Sequence, residues 1–431
     1  MNIEQLYSIF TQYPTITTDS RNCPVNSLFF ALKGANFNGN AYAKSALEKG
    51  CAYAVIDEAK YAENEKFIVV NNVLETLQQL AHYHRISLGL PVIGITGTNG
   101  KTTTKELISS VLSRKYRVLY TQGNLNNHIG VPLTLLSLTA EHQIAVVEMG
   151  ANHPGEIKTL VEIAAPNAGI VTNVGKAHLE GFGSFEGVIK TKSEMYDFLR
   201  DTGGCAFVNL DNDILMKNSE GIERIGYGLQ AQNGLVSGEI TGNSPFLSMR
   251  WKIVDNPNAE FELNTQLIGA YNAENVMAAV CIACYFGVEP QQICEAINAY
   301  TPSNNRSQFT QTARNRLIVD AYNANPTSMQ AAIRNFAAME MPAKMLILGD
   351  MRELGADSAA EHRRIVDLLE ELGFERVFLV GECFGKTKNR YQTFDETDDL
   401  LHYLQQHPVN NATVLIKGSN GLKLTRVVEY F

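Results

Sequence analysis

The sequence predicts an α/β protein of three domains: a small α/β N-terminal domain, a central P-loop domain on a doubly wound parallel sheet, and a C-terminal Rossmann-like domain. Three observations carry this. A glycine loop ending in Lys-Thr lies between a strand pattern, VIGIT, and a helix pattern, TTTKELISSVL. Short apolar runs bounded by turn residues, IAVVEMGA and GIVTNV, follow it as buried parallel strands do. The alternation of strand and helix then starts afresh after about residue 303. At 431 residues the chain is long for one core, and about 150 residues per domain suits two to four.

Residues 1–88 mix the apolar runs SLFFALKG, CAYAVID and KFIVV with Gly and Asn turns, then end in a helix pattern in which Leu77, Leu80, Ala81 and His84 recur. Pro91 cannot continue that helix, which sets a first boundary near residue 88. In residues 89–302 the helix after the glycine loop presents Leu107, Ile108, Val111 and Leu112 on one face. Residues 303–431 offer four strands (NRLIVDAY, KMLILGD, RVFLVG and TVLIKG), a helix opened by Asn325-Pro326, a helix through HRRIVDLLEEL and a final helix. The loose match Gly226-x-Gly228-x-x-Ala231 precedes QNGLVSGEITG, which is no helix, so dinucleotide binding is not expected there.

Composition narrows the function. Lys and Arg number 36 against 45 Asp and Glu, a formal charge of −9, so a broad grip on nucleic acid or anionic lipid is not expected. No stretch approaches the roughly 18 uninterrupted apolar residues of a membrane span, and the first residues lack a signal-peptide pattern. Seven cysteines read as free thiols of a cytoplasmic protein. Cys281-x-x-Cys284 falls in an apolar helix pattern without a second ligand pair and reads as core packing.

The chemistry concentrates in Gly97, Thr98, Asn99, Gly100, Lys101, Thr102 and Thr103. Backbone N–H groups and the positive helix N-terminus cradle a polyphosphate there, Lys101 adds a point charge, and the Thr102 hydroxyl suits Mg2+. The longer Walker spacing requires Gly at position 95, where Ile95 stands, so the loop is a shortened variant. Ligands of parallel sheets gather at the carboxyl ends of strands, and Glu148 and His178 come after two further strands. They complete a candidate magnesium set. In FEGVIKTKSEMYDFL the buried stripe is Val188, Lys192, Met195 and Leu199, which puts an ammonium where leucine belongs. Carbamylation by CO2 would turn Lys192 into a carboxylate able to hold a second magnesium.

GTNGKTT, EMGANHPGEI, TNVGKAHLEGFGS and KSE, in that order, resemble the Mur ligase family. The resemblance extends through TDSR and LFFALKG near the start, then LIGAYNAEN, DAYNANPTSM, LGDMRELG and IKGSNG. The last domain's YNANPTSM and GDMRELG are similar to the branch that adds D-alanyl-D-alanine. The resemblance implies a monomer whose three domains bind the UDP-N-acetylmuramoyl-tripeptide, ATP with Mg2+, and the incoming dipeptide. ATP would phosphorylate the peptide carboxylate, and the dipeptide amine would displace the phosphate. By motif match, Lys192 stands for the family's carbamylated lysine, and Glu148 and His178 for its magnesium ligands. Asn272 and Asn275 match adenine-side asparagines, Arg306 a phosphate-side arginine, and Asp320 a ribose contact, with Asn323 a further ATP-side candidate. Thr18, Asp19, Ser20 and Arg21 match a UDP-substrate motif, and Asn126 and Asn127 a substrate loop. The family often has His where Tyr271 stands and Gly where Asn305 stands.

Three other readings fit less well. A sibling ligase adding the third peptide residue commonly carries D-N-P-R in its last domain, whereas Asp255-Asn256-Pro257 here precedes Asn258 in the central region. A folylpolyglutamate synthase shares the core but not a TDSR-bearing first domain. A P-loop switch or motor wants four apolar residues followed by Asp-Glu, and IAVV leads into Glu-Met.

Overall fold

The computed structural model describes residues 2–256, 259–302 and 306–431; Asn305 and the end of the Asp255–Asn258 stretch lie outside them. Three main sheets succeed one another along the chain. The first has four parallel strands in the order Thr15–Thr17, Ser27–Phe30, Tyr53–Ile56 and Phe67–Val69. Ser27–Phe30 is buried along its whole length, as an apolar run without alternation requires. The helix Val73–Leu88 begins at the Asn72 cap and stops at Gly89, whose φ of 65° is one glycine adopts freely. Leu77, Leu80, Ala81 and His84 are all buried, as their spacing predicts. This helix also docks the first sheet on the second. Arg85 donates to the carbonyls of Ala164 and Ala165 and to Asn167 Oδ1, and His84 Nε2 lies 2.9 Å from the Leu138 carbonyl.

The central sheet has nine strands. Reading across it, Val118–Tyr120, Ile144–Glu148, Val92–Thr96, Ala168–Val171, Cys205–Asn209, Glu223–Gly228 and Val236–Asn243 run parallel, and Leu247–Ile253 and Glu260–Asn264 extend it antiparallel. The helix Lys101–Leu112 buries Leu107, Ile108, Val111 and Leu112 against one face of this sheet. Met195 and Leu199 of the long helix Phe185–Thr202 belong to the core on the other face. Glycine makes that second contact possible: a Cβ on Gly94 or Gly169 would lie 2.8 Å from Met195. Gly226 and Gly228 end a strand with no helix after them, as expected.

The third sheet has six strands, two more than the sequence suggests, in the order Gln308–Gln311, Arg316–Asp320, Thr413–Lys417, Lys344–Gly349, Val377–Val380 and Gln392–Phe394. The two extra strands are the short, polar edges, where neither length nor alternation marks a strand. A second correction concerns the chain end. The expected final helix is a pair of 3-10 turns, Asn420–Leu422 and Leu424–Tyr430, because Lys423 takes a left-handed conformation at φ 55° between them. Cys281 and Cys284 lie in the packed helix Asn272–Tyr285 as free thiols. Among the described residues no helix is long and apolar enough to cross a membrane.

Candidate active site

Strand order decides where the chemistry gathers. Val92–Thr96 lies between Ile144–Glu148 and Ala168–Val171, with Ile95 opposite Glu148 and Val171 opposite Thr96, so three loops leave the sheet side by side. The first is the glycine loop. Gly97 has φ 139° and Gly100 φ 79°, and side chains there would collide with Thr172 Oγ1 at 2.0 Å and with Asn275 Oδ1 at 2.5 Å. The loop is tied to the third strand's exit: Thr98 N donates to the Asn173 carbonyl, Asn99 N to Asn173 Oδ1, and Thr172 Oγ1 to the Asn99 carbonyl.

Lys101 opens the helix and folds back over the loop, donating to the carbonyls of Gly97 (2.7 Å) and Thr98 (3.0 Å). Burial pulls its ammonium down to about 8 against the attraction of Glu148, with repulsion from Arg306 adding. Glu148 is 2% exposed and held on both oxygens. Oε2 accepts from Thr102 Oγ1 (2.9 Å) and has Lys105 Nζ at 3.8 Å, while Oε1 accepts from Asn126 Nδ2 (2.8 Å). A hydroxyl and a carboxylate oxygen in contact at a strand end are hard donors of the kind Mg2+ takes, so the magnesium expectation fits these residues. Asn127 Oδ1 accepts from the Ile129 and Gly130 amides at the start of a short helix.

His178 comes after the third strand with φ 51°, and its Nδ1 pairs with the Glu353 carboxylate of the C-terminal lobe, which leaves Nε2 as its ligand atom. Burial lowers its pKa, with Glu353 opposing, so the imidazole is held toward its neutral, ligating form. Lys192 is buried on the helix face its spacing predicts. Its Nζ reaches the Ala151 carbonyl at 3.3 Å and lies 5.3 Å from the Phe182 ring centre. Burial first, then repulsion from Lys101, brings this amine down to about 7, with Glu156 and Glu194 opposing.

One cavity of about 840 Å³ collects most of the candidates. Thr98, Asn99, Gly100, Lys101, Thr103, Asn126, Asn127, Glu148 and His178 form its central-domain wall, and Asn272, Asn275, Arg306, Asp320 and Asn323 line it too. Gly97, Thr102 and Lys192 are not among its lining residues. Asn275 accepts from Thr104 Oγ1 and donates to Asn272 Oδ1, so the two asparagines brace the helix against the loop. Arg306 stacks on the Tyr322 ring at 3.9 Å, with its buried Nε unpaired among the described residues. Tyr271, in the position where the family often has His, shares a 2.7 Å hydrogen bond with Ser307. Thr18, Asp19, Ser20 and Arg21 are not on this cavity. They come after the first strand of the N-terminal sheet, where Arg21 pairs with Asp19 at 2.8 Å and holds its carboxyl down at about 2.

Sequence reasoning missed Lys417 and Glu353, although both lie in quoted motifs. Lys417 is buried, lines the cavity and donates to Asp320 Oδ2 at 2.6 Å and to the Asn323 carbonyl. Asp350, His362 and Cys383 cluster nearby, but their atoms are engaged. Asp350 accepts from the Cys383 and Phe384 amides at the start of the helix Glu382–Lys386, and His362 Nε2 accepts from the Met351 amide, so both serve local backbone groups.

Comparison with known proteins meets this geometry from outside. Residues 95–283 match the Mur ligase middle domain, residues 305–420 the Mur ligase glutamate ligase domain, and residues 12–85 the Mur ligase family catalytic domain. The UDP-N-acetylmuramoyl-tripeptide--D-alanyl-D-alanine ligase of Bacillus subtilis is 34% identical over 96% of this chain and 92% of its own. This chain belongs to the Mur ligase family. Among solved structures, MurF from Acinetobacter baumannii superposes with a TM-score of 0.85 at 31% identity, covering 96% of this chain and 92% of that one. MurF ligase from Thermotoga maritima in complex with ADP superposes at 0.86 with 25% identity, covering 97% and 96%. This Mur ligase therefore has the three-domain α/β architecture of those enzymes over nearly its whole length.

Proposed function

We propose that this chain is an ATP-dependent ligase that joins D-alanyl-D-alanine to UDP-N-acetylmuramoyl-tripeptide in peptidoglycan precursor synthesis. The observation that carries it is one cavity walled by the glycine loop, Glu148 and His178 on one side and by Arg306, Asp320 and Lys417 on the other. The end-to-end likeness to dipeptide-adding relatives favours this reading over the sibling ligase, the folylpolyglutamate synthase and the motor. It divides the labour as residues 1–88 for the UDP substrate, with Thr18 to Arg21 its contact, residues 89–302 for ATP, and residues 303–431 for the dipeptide. It also carries the expectation of a cytoplasmic monomer.

Each residue then has work its chemistry suits. The loop amides and Lys101 grip the β and γ phosphates, and Arg306 reaches the transferring group from the opposite wall. Asn272 and Asn275 shape the adenine side, and Asp320, steadied by Lys417, faces the ribose with Asn323. Asn126 and Asn127 meet the peptide substrate. Thr102, Glu148, His178 and carbamylated Lys192 would hold magnesium, which supplies positive charge between phosphate and carboxylate. A Lys192 amine near neutrality is nucleophilic enough to take up CO2. With the two anions held in line, phosphoryl transfer makes an acyl phosphate, and attack by the dipeptide amine releases phosphate and leaves an amide. A second cavity of about 650 Å³, lined by Glu353, carries Arg352 and Lys423, cations suited to the dipeptide carboxylate.

The test is phosphate release by purified protein. ATP alone should give negligible turnover, and strong turnover should need both UDP-muramyl tripeptide and D-alanyl-D-alanine, with a labelled peptide carboxylate oxygen recovered in the phosphate. Robust hydrolysis without the two substrates would overturn the ligase reading in favour of a motor.

A further inference from the structure

Asn325 begins the helix Pro326–Ala338, and the two ends of its side-chain amide have separate tasks. Its Oδ1 accepts from the Ser328 amide at 2.9 Å while Ser328 Oγ accepts from the Asn325 amide at 3.2 Å, a reciprocal cap. The cap settles which end is oxygen. The other end, Nδ2, therefore crosses the cleft and donates to Asn99 Oδ1 at 2.7 Å. Asn99 cannot swing away, because Asn173 Oδ1 holds its amide and Thr172 Oγ1 and Asn173 Nδ2 hold its carbonyl.

With Oδ1 committed, Asn99 keeps Nδ2 as its spare donor, and Nδ2 has no partner among the described residues although Asn99 lines the cavity. The same helix end is seated on the loop after Val171: Lys176 N donates to Thr327 Oγ1 at 3.2 Å, and a Cβ on Gly175 would lie 2.9 Å from that oxygen. We propose that Asn325 is a positioning residue for phosphoryl transfer, fixing the Asn99 amide when the C-terminal lobe docks so that Asn99 Nδ2 donates to the terminal phosphoryl group of the nucleotide. Without Asn325, the Asn99 amide is free to flip and turn its oxygen toward the phosphate. Docking of the lobe and readiness of the loop are thereby one event.

The inference rests on the ligase reading. Its test uses the full chain with Asn325→Ser, which still caps the helix but is too short to cross the cleft, and Asn325→Asp, which caps and reaches but cannot donate. Each should lower kcat by about tenfold or more, as loss of a transition-state donor does. For Asn325→Ser the KM for ATP should stay within about twofold, since the donor serves the transition state more than binding. Thermal melts confirm that the caps hold. Asn99→Ala should show a similar loss, and Asn325→Ser with Asn99→Ala should be no worse than Asn99→Ala alone, because one residue acts through the other. Wild-type kcat in both Asn325 variants, or losses that multiply in the double variant, would overturn the positioning role. A wild-type chain that forms no amide overturns the ligase reading and this role with it, whereas an active wild type with multiplying losses overturns the role alone.

Discussion

Two buried lysines, one in each lobe, are built in opposite ways. Lys417, at the end of a C-terminal strand, is clamped by the Asp320 carboxylate at 2.6 Å and the Asn323 carbonyl. Lys192, on a helix of the central lobe, has one carbonyl at 3.3 Å and an aromatic ring, and is buried almost as deeply. Lys417 has a carboxylate partner and ties down the Asp320–Asn323 loop, while the Lys192 amine, without one, leans toward its neutral form. The contrast teaches that burial alone does not assign a lysine, whereas its partner does.

The strongest way to break this comparison is Lys192→Ala. Activity should fall by roughly three orders of magnitude if the residue supplies a carbamate, a size seen when a group acting on developing charge is lost. Short carboxylic acids should restore part of it, and the wild type should slow in CO2-free buffer. Full activity without CO2 would remove the carbamate.

Stability should separate the two lysines by sign. The Lys192 amine sits at about 7 in the fold against its usual 10.5, so between those values the unfolded chain binds a proton the folded chain does not. Stability from this site therefore rises with pH across that window, with the full cost present below it and none above. Lys192→Met in CO2-free buffer should stabilise the protein at pH 7, on the order of 1–3 kcal/mol, and not at pH 10.5. Lys417→Met should instead cost about 3 kcal/mol, because it strands Asp320. Denaturant melts at the two pH values check both. The smallest effect belongs to an exposed pair: Lys44→Ala, which breaks the contact with Glu63, should leave the melting temperature unchanged within error.

Much of the central lobe was legible because its signals are local. The glycine loop, the helix face at Leu107 to Leu112 and the buried position of Lys192 each follow from spacing within one element. The Asn325 cap was legible for the same reason. Its second bond was not, since Asn99 lies 226 residues away and nothing in either stretch announces the other. Glu353 meets His178 over 175 residues, again through folding alone. The strand Val236–Asn243, to which the antiparallel extension is joined, escaped notice because Gly238 and Gly242 dilute its alternation. The short 3-10 end was hidden by an apolar spacing, Leu424, Val427 and Phe431, that suits a helix too.

Since each lobe contributes its own side of the larger cavity, a small molecule anchored on Asn99 and Tyr322 together would splint the chain in a single posture. Such a compound would halt turnover by denying the lobes their separation, and it need not look like a nucleotide, a sugar or a peptide.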